Sequence, residues 1–135
     1  PVLGEGLFNL LSSKPSIRHF NADHGYYDMD RVTDEWIDYE WQTTHQPNAR
    51  FAVASFVAGH CNSAIDLGAA LDALDVPVTV VWGRDATLPP LSTGRDLAET
   101  AAARLVVFDN AKLLPHVEHP EAFVDAVREA TAPAE

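Results

Sequence analysis

The chain has 135 residues, 47% of them apolar, and its 20 acidic against 9 basic side chains give a formal charge of −11. A chain of this size and apolar content buries one real core, so disorder is not its default state. So acidic a surface repels phosphate backbones and anionic bilayers, which argues against nucleic-acid and membrane partners.

In chain order, helices come first. The stretch 4-GEGLFNLLSS-13 sets Leu7, Phe8, Leu10 and Leu11 in an apolar stripe, which predicts a short amphipathic helix. A Pro-Ser start opens 15-PSIRHFNADHGY-26 as a second helix that stops near Gly25. In 33-TDEWIDYEWQTTHQ-46, Thr33 is the predicted cap and Trp36, Ile37 and Trp41 share a face, with Pro47-Asn48 as the break. The apolar 50-RFAVASFVAG-59 reads as a buried helix ended by Gly59, with a strand as the alternative, and 63-SAIDLGAALDAL-74 reads as another helix.

Beyond that point the pattern changes. The β-branched run 77-PVTVVW-82 does not alternate, which suits a strand buried on both faces. A turn, 83–90, leads to a helix over 92–102 with Ser92 or Thr93 as cap, then to a second buried-type strand, 104-RLVVFD-109. A last helix, 120-PEAFVDAVREA-130, has proline at its favoured first position, and 131–135 is a frayed tail. The order β-α-β-α with short connections predicts parallel strands joined by a right-handed crossover. Two parallel strands leave an apolar edge open, so this chain needs more sheet, from a preceding segment or from another subunit.

Only Lys14 and Lys112 are lysines; the other seven bases are arginines. An acid-rich, lysine-poor composition resembles that of haloarchaeal and other salt-adapted proteins, where salt screens the self-repulsion; an ordinary acidic cytosolic protein is the alternative. The single cysteine, Cys61, forms no internal disulfide and is expected to be buried and inert. With no apolar run of about 18 residues and no signal peptide, a cytoplasmic location is expected. The start at Pro1 rather than methionine suggests processing, or a piece of a longer chain.

The motifs 74-LDVPVTVVWGRDATLPP-90 and 104-RLVVFDNAKLLPHVEHPEAFVDAV-127 resemble the C-terminal half of the α/β-hydrolase superfamily. The resemblance implies an α/β fold in which residues 1–62 form a helical cap and 63–135 the C-terminal part of the core, a parallel β-α-β-α unit. It also implies hydrolysis of an ester or amide-type bond in a small, partly apolar substrate, with no cofactor. Carried over by position, the family's catalytic acid falls on Ala86 and its histidine on Leu113, with Lys112 in place of the preceding glycine. Neither alanine nor leucine carries a proton or orients a base. No G-x-S-x-G nucleophile elbow occurs in these residues, so the chain by itself is expected to be catalytically silent.

Asp85, one place early, and His116, three places late, are the nearest stand-ins for the catalytic pair. The bland alternatives are a solvated turn aspartate and a histidine bonding backbone at a helix start. His116, Glu118 and His119 lack the spacing of a regular metal site, so no metal is expected, and Glu118 is better suited to bonding backbone amides or to favouring the positive end of the last helix. His60 and Cys61 are adjacent residues whose side chains diverge, which disfavours a dyad. The polar-aromatic stretch 19-HFNADHGYYDMD-30 offers His24, Tyr26 and Tyr27 as substrate-contacting residues of a cap, while Trp36 and Trp41 read as cap core. Two functions follow: a hydrolase whose nucleophile half lies outside these residues, or a non-catalytic protein that binds a ligand or partner on a hydrolase scaffold.

Overall fold

A computed structural model describes residues 2–132. Helix α1 (Val2–Leu11) is followed by α2 (Lys14–Phe20), which widens without a break into a π-helical turn, Asn21–Gly25. That turn closes when Tyr26 N–H reaches back five residues to Asn21 O at 2.9 Å. A short 3₁₀ turn, Met29–Arg31, leads to α3 (Asp34–Thr44), capped as expected by Thr33, whose hydroxyl accepts from Trp36 N–H at 3.1 Å. Helix α4 (Ala49–Val57) settles the helix-or-strand ambiguity in favour of helix, and Gly59 beyond it takes φ +76°. The expected burial of α4 does not hold: Phe51, Phe56 and Val57 are all exposed.

Helix α5 (Leu67–Asp72) is shorter than its sequence pattern suggests and starts at Asp66, whose carboxylate accepts from Ala69 N–H. Strand β1 (Thr79–Gly83), α6 (Leu91–Thr100) and β2 (Arg104–Phe108) follow, and the strands pair in parallel with Val81 beside Val106. Pro90, not Ser92 or Thr93, precedes the first turn of α6, because the chain enters the helix directly from the turn after β1. A short helix unseen in the sequence, α7 (Pro115–Glu118), precedes α8 (Pro120–Thr131).

Two small cores result. One joins Tyr26, Val32 and Ile37 with Ile17, Met29 and Leu114. The other packs Ala126 and Phe123 of α8 against Val81, Val106 and Phe108 on one face of the sheet. Helix α6 covers the opposite face, where the backbone at Gly94 lies so close to the Trp82 ring that any side chain there would overlap it. Among the described residues no third strand joins β1 and β2. Both strands are accordingly half-buried rather than enclosed, with only Val80, Gly83 and Phe108 buried.

Candidate functional site

The loops after β1 and β2 meet at the carboxyl ends of the strands. Gly83 makes the meeting possible: a Cβ there would overlap the carbonyl oxygens of Lys112 and Ala111. Backbone bonds then pin the loops together, Arg84 N–H to Phe108 O at 2.8 Å and Asp85 N–H to Ala111 O at 2.9 Å, with an exposed Arg84–Asp109 ion pair alongside. Between the loops lies a cavity of about 130 Å³, walled by Val81, Trp82, Gly83, Ala86, Pro89, Lys112, Leu113 and Pro115. It is smaller than the roughly 300–1,000 Å³ of ordinary small-molecule sites.

The helical half of the chain is clamped onto these loops. A helix end leaves carbonyls without intrahelical partners, and the π-helical turn ends where the strand loops begin. Lys112 Nζ donates to Ala22 O at 2.6 Å and to Asp23 O at 3.3 Å, a cation on the negative end of a helix. Leu113 N–H donates to His24 O at 3.4 Å. The Thr87 hydroxyl donates to Asp23 O, so it accepts from His24 Nδ1 at 2.9 Å.

On the other side Glu118, 1% exposed, collects three backbone amides. Its Oε1 accepts from Tyr27 N–H at 2.7 Å and Asp28 N–H at 3.0 Å, and its Oε2 accepts from Lys112 N–H at 2.9 Å. The amide-binding role expected of Glu118 is therefore what the fold uses.

The family model for the alpha/beta hydrolase family matches residues 3–126. The chain belongs to that family. No curated relative matches it.

Ala86 and Leu113, the positions onto which the sequence resemblance carries the family's acid and histidine, share one cavity. The stand-ins, Asp85 and His116, do not line it: Asp85 is half-buried beside it, and His116 is exposed with its ring against Phe123. The backbone contact expected of His116 belongs instead to His119, whose Nε2 meets Asn110 O at 3.1 Å. The one ionisable side chain lining the cavity, that of Lys112, is committed to the carbonyls of Ala22 and Asp23.

The three residues singled out for substrate contact separate in space. His24 is bound to Thr87 beside the cavity, Tyr26 is buried with Val32 and Ile37 in the first core, and Tyr27 is exposed on an open groove with Asp28 and Arg31. Burial holds the Tyr26 phenol above the usual tyrosine value, and the nearby Glu40 and Glu118 charges push the same way, opposed by a hydrogen bond with Trp36. Trp36 is 40% exposed and stacks on Tyr39, so it is not a core residue as expected, whereas Trp41 is half-buried. Cys61 is exposed, against expectation, and lies with His60 in the turn after α4. Among the described residues no cluster of three metal-ligating side chains occurs, and no helix is long and apolar enough to cross a membrane.

Proposed function

We propose that these residues form the cap and closing strands of an α/β-hydrolase-fold protein acting on an ester or amide-type bond of a small, partly apolar substrate. In this reading residues 1–62 act as the lid, residues 63–135 close the sheet, and the reacting groups come from outside the segment. The observation that carries it is the coincidence of both relay positions, Ala86 and Leu113, at one cavity at the strand ends. That is where the family's chemistry belongs, yet no side chain there is free to move a proton. The uncharged edge of β1, Thr79–Gly83, is the natural seat for further strands of the sheet.

The apolar character of the two relay positions favours a second reading, a non-catalytic protein that binds a ligand or a partner protein through the cap and the strand edge. One experiment separates the two. The full-length protein is assayed against an ester panel and challenged with a serine-reactive phosphonate. Turnover lost on mutating a single serine supports the hydrolase. Neither turnover nor labelling rejects it and leaves the binding protein; in that case Ala86→Asp with Leu113→His restores nothing, because no nucleophile is present to be activated.

A further inference from the structure

The groove beside Tyr27 has a volume of about 400 Å³ and shares no lining residue with the cavity at the strand ends. That volume falls within the roughly 300–1,000 Å³ of ordinary small-molecule sites. Tyr27, Asp28, Asp30 and Arg31 line it from the cap side, and Asn110 and His119 from the turn after β2 and the start of α8. Both sides are held in place. Glu118 takes the amides of Tyr27 and Asp28, and the Asp28 carboxylate caps the 3₁₀ turn by accepting from Asp30 N–H at 3.0 Å. Opposite, Asn110 takes φ +53°, its carbonyl accepts from His119 Nε2 at 3.1 Å, and the His119 ring stacks with Phe108. That bond puts a proton on Nε2, so Nδ1 of the neutral ring is an acceptor. Two groups are left over: among the described residues, neither the Asp30 carboxylate nor the Asn110 side-chain amide makes a hydrogen bond or an ion pair. Beside them the Tyr27 ring is 49% exposed.

We propose that this groove binds a neutral polyhydroxylated ring, a pyranose unit, with a C–H face stacked on Tyr27 and hydroxyls on Asp30, Asn110 and His119. A sugar ring matches the groove on both counts. The C–H bonds of its apolar face suit the electron-rich face of an aromatic ring. Its adjacent hydroxyls donate and accept, which suits a carboxylate, an amide and an imidazole nitrogen together. Charged ligands fit less well. An anion meets the −11 of the chain, and Arg31, the one arginine or lysine of the groove, is paired with Asp28 at 3.7 Å. A cation finds a single uncommitted carboxylate, Asp30, because those of Glu118 and Asp28 are bonded to amides. Sides that are already fixed keep the ordering cost of binding low.

Saturation-transfer NMR on the full-length protein tests the assignment, with methyl glucoside, methyl galactoside and methyl mannoside as probes and cyclohexanol and choline as controls. At least one methyl glycoside is expected to bind through its C–H face, in dilute buffer and in molar KCl alike, since no ion pair carries the contact. For a glucoside binder, maltose of equal affinity assigns a single ring, and tighter maltose the end of a longer glycan. Tyr27→Ala is expected to weaken binding about tenfold and Tyr27→Phe to leave it within about twofold, because the ring carries the contact. Asp30→Ala is expected to weaken it about fivefold. Both side chains are exposed, so circular dichroism is expected to stay unchanged. No binding of any of the three glycosides, binding of choline in their place, or a folded Tyr27→Ala that binds as well as the unaltered protein overturns the proposal.

Discussion

Glu118 shows how much one side chain does in this protein. A carboxylate taken out of water is costly unless its oxygens are bonded, and here two backbone amides from a distant segment and one from nearby Lys112 supply the bonds. Removing it leaves all three donors without their acceptor. Glu118→Ala is therefore expected to lose about 3 kcal/mol of stability, with Glu118→Gln intermediate because one acceptor oxygen survives. Urea denaturation measures this, and a loss below about 0.5 kcal/mol would show that the amides find water instead. The sequence pointed Glu118 to backbone amides or to the positive end of the last helix, but not to which amides, since Tyr27 and Asp28 lie 91 and 90 residues away. The role of Lys112 was not legible at all: the carbonyls it caps lie 90 and 89 residues away in the chain.

At the level of elements, local chemistry set the helix starts well where a side chain does the capping. Thr33 was read as a cap from the sequence and Asp66 was not, since helix was expected from Ser63, yet each bonds the amide three residues on. Where the entry is dictated by a loop, as at Pro90, the local signal misled. Burial misled more often, since the pattern of α4 reports apolar content and says nothing of what covers it. Gly83 ties two elements together, and its substitution tests the loop crossing. Gly83→Ala forces β1 away from the 111–112 backbone and is expected to cost about 2–3 kcal/mol or more in a urea melt. A variant of normal stability would mean that the two loops do not approach so closely.

For the whole molecule, charge and incomplete layering dominate. Seven of the nine lysines and arginines pair with an acid, and each takes a different one, so most of the acids among the described residues have no lysine or arginine partner. Their mutual repulsion falls as salt rises. The melting temperature is thus expected to climb by roughly 5 °C or more between dilute buffer and molar KCl, about 1 kcal/mol in a domain of this size. An unchanged melting temperature would remove the salt-adaptation reading.

The order of helices and strands, the parallel pairing and the family could be read from the sequence alone, because strand runs, turn residues and the motif around residues 108–123 are local patterns. The apolar character of the two positions onto which the resemblance carries the acid and histidine was likewise written in the letters Ala86 and Leu113. Only the tertiary structure decided that these two positions share a cavity, that Asp85 and His116 stay out of it, and that Lys112 and Glu118 hold the helical half of the chain. Those outcomes depend on contacts between segments far apart in sequence, which fix where a side chain points only once the strands have paired and the π-helical turn has found its donors.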